Sequence, residues 1–337
     1  MKVLVMGGTR FNGLALVNEL HKHGHEVTIL NRGVTEAPVP KAVRRLTADR
    51  NDAAALAAAL GNEEWDCIQD ISGYNLAQVQ SLVECVKGRV GHYIFASSTV
   101  TYAATHILPI RETSAVDNTP RQNEYARNKL ECEAYLFSLY RSERFPATSV
   151  PFSMVFGPNN IIPDREQKMF QRLLLGRPIL VPGDGTTVGM IGHVDDEARA
   201  LRMMMGNPIT FGKRYNLTGK DAYTDDGYVD TFAGVVGVEP KRVHVPPAVM
   251  DELWVGEPQA VFRASTLIQK VAPHIHNWNA SVFFSVDRLC ADIGWEPEYS
   301  FAAAVEQTYE WYRREGLDKT REFDFAWEDE LLARLGS

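Results

Sequence analysis

The first thirty residues limit the fold more than any other stretch of the chain. Val3-Leu4-Val5-Met6 is a short β-type run, stopped by Gly7-Gly8-Thr9-Arg10-Phe11-Asn12-Gly13, and apolar residues at helical spacing follow from Leu14 to Leu20. Val27-Thr28-Ile29-Leu30 is again short and β-branched. Strand, helix and strand within that length make a parallel βαβ unit, because a parallel pairing needs a crossover long enough to hold a helix. The alternation continues, with helices over Ala53 to Leu60 and Leu76 to Val86 and strands over Cys67 to Ile71 and Tyr93 to Ala96. It predicts a doubly wound parallel sheet with helices on both faces.

After Gly157-Pro158 the texture changes. Pro and Gly are spread through Ile162 to Gly192 and again from Pro240 to Pro258, and a last helix is expected over Phe301 to Glu315. The expected fold class is therefore α/β: a Rossmann-type doubly wound parallel sheet with a smaller C-terminal substrate-binding lobe. The dinucleotide-binding part is expected over residues 1–160 plus about 188–222, and the lobe over about 161–187 and 223–337.

Composition removes several function classes. Of 337 residues, 45% are hydrophobic and 23% charged, enough for a sizeable core. A formal net charge of −8, with no Lys/Arg run beyond pairs such as Arg44-Arg45, gives no field for a polyanion, so no nucleic-acid partner is expected. Cys67, Cys85, Cys132 and Cys290 are far apart and include no Cys-x-x-Cys pair, which signals neither disulfides nor a metal site. His21, His23 and His25 bring no carboxylate or cysteine cluster with them and read as a solvated helix end. The apolar start is cut off by Gly7 too early for a signal peptide and no stretch approaches a membrane span, so the expectation is a cytoplasmic enzyme with no membrane partner.

The glycine turn follows a strand and opens a helix, the context in which such a pattern cradles a pyrophosphate. Gly7 allows the tight turn, Gly13 allows close packing of helix on strand, and the helix start carrying Thr9, Arg10 and Phe11 offers free N–H groups and a positive dipole end. Arg10 stands where a middle glycine is usual. At the end of the second strand Asn31 and Arg32 replace the acid that would hold a ribose 2′-hydroxyl, so the cofactor is NAD or NADP, with Arg32 leaning to NADP through a 2′-phosphate. Asp49 and Asp70, at the ends of later sheet segments, complete the expected cofactor contacts.

Tyr125 and Lys129 are four residues apart, hence on one helix face. A free phenol titrates near 10, so work as a base near pH 7 asks for about 4 kcal/mol of selective phenolate stabilisation. The Lys129 ammonium and a positive nicotinamide would supply it. Ser97, Ser98 and Thr99 put three hydroxyls at a strand end, where one of them can hold the reacting oxygen.

With these residues the chain resembles the NAD-dependent epimerase/dehydratase family of extended short-chain dehydrogenases/reductases over nearly its whole length. Phe95 to Tyr102 resembles the serine-bearing strand end, which implies Ser98 as the catalytic hydroxyl, and Pro151 to Pro158 resembles the segment beside the nicotinamide, which implies contacts from Phe152 and Val155. Gly183-Asp184-Gly185, His193-Val194-Asp195-Asp196 and Gly294-Trp295-Glu296-Pro297 are similar to later family signatures, and the opening with Asn31-Arg32-Gly33 resembles a subgroup that includes the chloroplast stem-loop RNA-binding proteins. Two departures matter. Thr99 and Val100 stand where the family's 4,6-dehydratases carry an Asp-Glu pair, and Gly189 stands where an arginine for a nucleotide diphosphate is usual. The resemblance implies an epimerase of a sugar-like substrate (nucleotide-sugar, nucleoside or polyol) acting through a transient ketone. An NADPH-dependent reductase or dehydrogenase, a dehydratase and a non-catalytic RNA-binding relative remain as alternatives. A homodimer is implied by analogy. Asp195 and Asp196 are expected to cap and brace rather than to react.

Overall fold

The computed structural model describes residues 1–256, 258–268 and 277–336. Six strands, β1 (Lys2–Met6), β2 (Glu26–Asn31), β3 (Arg44–Thr47), β4 (Cys67–Asp70), β5 (Tyr93–Ser98) and β6 (Ala147–Phe152), form a parallel sheet in the order β3-β2-β1-β4-β5-β6. The four expected strands are all present. Their near-continuous apolar runs follow from burial on both faces, as a doubly covered parallel sheet requires.

Two strands were not anticipated, each for a physical reason. β3 is an edge strand of sequence Arg-Arg-Leu-Thr whose side chains stay largely in solvent, so it carries no apolar pattern. β6 is fully buried yet includes Thr148 and Ser149. Thr148 donates to the Thr210 carbonyl at 2.8 Å and shares a 2.8 Å hydrogen bond with His92, while Ser149 donates to Glu133 at 2.8 Å. These partners offset the cost of burying the hydroxyls.

The helices α1 (Phe11–Lys22), α2 (Ala53–Leu60), α3 (Leu76–Val86), α4 (Glu124–Glu143), α5 (Glu166–Leu174) and α6 (Val194–Met204) take up distinct positions. Leu16, Val17 and Leu20 of α1 pack with Ala198, Leu201 and Met204 of α6 in one apolar cluster on the sheet. Leu56, Val79, Val83 and Leu136, from α2, α3 and α4, belong to a second cluster. A third cluster joins Phe170 of α5 to Phe232, Trp278, Phe301 and Tyr312, away from the sheet. It holds the parallel strand pair Pro178–Pro182 and Lys241–Val245 together with the helix Phe301–Arg314. Asp196 braces, as expected: its carboxylate accepts from the backbone N–H of Glu298 at 2.9 Å and of Tyr299 at 3.0 Å, tying the C-terminal segment to α6.

Candidate active site

The strand order reverses beside β1, where the chain leaves for β2 on one side and later places β4 on the other. An open α/β sheet has its binding crevice at the C-terminal ends of such strands. The turn after β1 fits that use. Gly7 has φ +114°, open to glycine but strained for other residues. A Cβ on Gly13 would lie 2.6 Å from Ile71 Cδ1 and 2.7 Å from the Gly8 nitrogen, so the start of α1 touches the turn only because no side chain intervenes. Arg10 is the N-cap and leaves the first N–H groups of α1 uncapped by any side chain.

Above this turn lies a cavity of about 560 Å³ whose wall includes Gly7, Thr9, Arg10, Phe11, Gly13, Asn31, Arg32 and Asp49. Seven decades of sequence separate some of these residues from others on the same wall, including Ser72, Tyr74 and Gln78, which the sequence reading did not single out. Their position after β4 was the available signal, because the loop there must open onto the same sheet edge. Asn31 is largely spent on the turn itself: its amide donates to the Gly7 carbonyl at 3.3 Å and its oxygen accepts from the Gly33 N–H at 2.8 Å. Asp49 accepts from the Asn51 backbone at 2.9 Å, which holds its carboxyl below the usual range.

Asp70 corrects one expectation. It is fully buried, accepts from Arg50 at 2.7 and 2.9 Å and from the Tyr93 hydroxyl at 2.6 Å, and does not line the cavity. Burial alone would raise its pKa, but the bidentate Arg50 outweighs burial and holds it low. Arg50 itself reaches the cavity wall and donates to Ser72 at 3.0 Å. Asp70 thus shapes the turn after β4 and reaches the cleft only through its partner.

A second cavity, about 460 Å³, adjoins the first, since Phe11, Asn12, Ile71, Tyr74 and Ile161 belong to both walls. It brings together Tyr125, Lys129, Ser97, Ser98, Thr99, Phe152 and Val155. Four segments converge here: the end of β5, the first turn of α4, the end of β6 and the short strand Val155–Phe156. Asn123 caps α4 by accepting from the Ala126 N–H at 2.8 Å, which fixes where Tyr125 enters the helix.

Lys129 is 2% exposed and donates to the carbonyls of Gly73 at 2.7 Å and Ala96 at 2.6 Å. Its nitrogen sits 5.6 Å from the centre of the Tyr125 ring, and burial lowers its pKa to about 8. Tyr125 is 41% exposed as a residue, yet burial around its phenol pushes that group up to about 12, with Tyr74 adding and the Ser98 hydroxyl opposing. The ammonium is therefore tied to two carbonyls and is not, by itself, enough to make Tyr125 a base. Ser98 accepts from the Val100 N–H at 3.4 Å, while the Ser97 hydroxyl is buried with no partner among the described residues.

Residues 3–218 match the model of the NAD dependent epimerase/dehydratase family. The chain belongs to that family. The match spans the sheet from Val3 onward, α6, the first cavity and the second cavity apart from Phe262, Ser265 and Thr266. The chain is 31% identical to the chloroplast stem-loop binding protein of 41 kDa b of Arabidopsis thaliana, over 99% of this chain and 84% of that one. It is 24% identical to the UDP-glucose 4-epimerase of Corynebacterium glutamicum, over 89% and 92%. Its fold matches the dTDP-glucose 4,6-dehydratase of Bacillus anthracis, solved in complex with NAD, with a TM-score of 0.74 at 17% identity, over 93% and 97% of the two chains. The family is NAD-dependent, and this member has the extended short-chain dehydrogenase/reductase fold of its enzymes.

Proposed function

We propose that this chain is an NAD(P)-dependent epimerase of a sugar or sugar-like substrate that works through a transient ketone. The observation that carries the reading is the meeting of Tyr125, Lys129 and Ser98 on the wall of one cavity, which runs on into the cleft over the glycine turn. The turn fits a dinucleotide, since Gly7 takes a φ of +114°, Gly13 lets the helix start pack directly on Gly8 and Ile71, and the first N–H groups of α1 have no side-chain cap. Gly7 to Gly13 would hold the pyrophosphate, Arg32 and Asp49 would flank the adenosine end, and Phe152 and Val155 would face the nicotinamide. A nicotinamide held there would supply the hydride acceptor and donor for a carbinol carbon.

The protein's own groups do the rest. Tyr125 Oη takes the alcohol proton and later returns it, while the Ser98 hydroxyl holds the same oxygen in line. Two of the three Lys129 N–H groups are bound to carbonyls, which leaves one for a ribose hydroxyl and fixes the ammonium beside the phenol. Because Tyr125 alone titrates far above neutrality, its phenolate forms only when further positive charge shares the cavity. The chain's part in epimerisation is to let the ketone turn over before it is reduced, so the cavity must exceed a tight fit.

A second reading, a net reductase using NADPH, is favoured by one observation. Arg32 lines the cleft at the end of β2 where no acid stands, and this suits a 2′-phosphate. A 4,6-dehydratase is disfavoured by Thr99, which is 2% exposed and occupies the place of an acid.

Release and identification of the nucleotide carried through purification separates the two readings. Tightly held NAD supports the epimerase, and weakly held NADPH supports the reductase. With a substrate deuterated at the reacting carbon, an epimerase shows no net absorbance change at the reduced-nicotinamide band and keeps the label. Loss of the label to solvent, or stoichiometric oxidation of NADPH, rules it out.

A further inference from the structure

We propose that Arg165 binds an oxyanion carried by the substrate, a carboxylate or phosphate, within the cavity that holds Tyr125 and Ser98. The inference rests on the proposed function and names the class of substrate that the site would take. Arg165 lies just before α5 and lines the second cavity together with Ile162, Ser265 and Thr266. It is partly buried, and among the described residues no carboxylate forms an ion pair with it.

A cation in that position is costly unless something neutralises it. Burial disfavours the charge on Arg165, and the main opposing influence is Glu166. That carboxyl is a weak counter-ion near neutral pH, because its complete burial pushes it up to about 7. One of its oxygens accepts from Asn160 at 3.0 Å, and the other has no partner among the described residues. The remaining groups on the cavity wall are hydroxyls, amides, apolar surface and the Lys129 ammonium, which two carbonyls already hold. Among the described residues, the wall therefore contains a guanidinium with no fixed partner and no acid aimed at it.

Position 189 sharpens the point. The sequence places glycine there, and a Cβ would come within 3.0 Å of the Tyr223 ring, so the second lobe has filled the space from which a side chain at 189 would start. The cation at hand for a substrate anion is Arg165, just before α5. An arginine also matches both oxyanions by its planar, two-pronged donor set, and a carboxylate or phosphate brought by the ligand would neutralise it.

The test is a titration of the purified protein, with and without saturating NADH, by inorganic phosphate, glucuronate and glucose 1-phosphate, with glucose as the neutral control. Binding is read by the unfolding midpoint and, in the loaded protein, by fluorescence of the reduced nicotinamide. At least one anion is expected to bind tenfold or more tightly than glucose, to lose that advantage in Arg165→Gln, and to keep part of it in Arg165→Lys. The phosphate and glucuronate arms tell which oxyanion is preferred. NADH binding is expected to be unchanged in Arg165→Gln. Failure of the wild type to bind either NADH or NADPH overturns the proposed function and leaves the anion preference to be judged in the unloaded arm. Equal binding of glucose and the anions, no anion binding, or a preference that survives Arg165→Gln overturns the assignment.

Discussion

Tyr125 and Lys129 illustrate how much one side chain depends on its neighbours. The chain places them on one helix face, but burial acts on both in the direction that suppresses charge: the phenol stays protonated near neutral pH, and the ammonium persists with a lowered pKa. Tyr125→Phe should lower turnover by about 10²–10⁴-fold while NADH affinity, followed by fluorescence, stays within a few-fold. Lys129→Met should abolish turnover and also change the pH dependence of stability. The folded pKa near 8 lies below that of an unfolded lysine, so the unfolded chain binds more protons between those values and the penalty fades as pH rises. In denaturant titrations the wild type should gain on Lys129→Met between pH 7.5 and pH 10; a constant difference would contradict the account. Glu197 behaves in the opposite sense. It is fully buried, accepts from Asn12 at 3.5 Å, and burial raises its pKa well above the ordinary carboxyl value. Its contribution is complete below the unfolded pKa and is lost as pH rises through the folded one. Glu197→Gln should keep dinucleotide affinity and flatten that loss, whereas Glu197→Leu should weaken affinity by freeing Asn12 in the cleft wall. Equal affinity in both variants would show that Asn12 needs no brace.

At the scale of elements, the site is made by ends of strands and starts of helices, and this decides what could be read in advance. The glycine turn was legible because its glycines answer to sterics: Gly13→Ala drives a methyl into Ile71 and the Gly8 backbone. That substitution should cost about 1–3 kcal/mol and abolish dinucleotide binding, both measurable on one purified sample. The pair Tyr125 and Lys129 was legible because helical spacing is local. Asp70 was misassigned for a reason of the same kind. A carboxylate at the end of β4 looks like a ligand group in one dimension, but Arg50 lies twenty residues away in sequence and Tyr93 on the next strand. Asp70→Asn leaves a buried guanidinium uncompensated and should destabilise the fold by about 3–5 kcal/mol, visible as a lower denaturant midpoint. The edge strand β3 and the polar β6 escaped because solvent or hydrogen-bond partners, rather than an apolar pattern, satisfy them.

Across the whole molecule, two adjoining cavities open at one edge of the sheet, and the third apolar cluster gathers α5 with the later helices. The third cluster left only a change of texture in the sequence, since its contacts join segments such as Phe170 and Phe301 that are distant in the chain. The formal charge of −8 opposes attraction of a polyanion, although one relative is a stem-loop binding protein. Filter binding of a stem-loop RNA at physiological salt should therefore show no saturable retention. A salt-sensitive complex that is indifferent to Tyr125→Phe would instead indicate a binding protein. The central claim, that the adjoining cavities are one dinucleotide cleft ending at a reactive phenol, is tested most directly by a crystal structure of the protein soaked with NAD. The account predicts pyrophosphate density over Gly7 to Gly13 and the nicotinamide ring in the cavity walled by Tyr125 and Ser98. A dinucleotide bound elsewhere, or a ring lying outside that cavity, would contradict it.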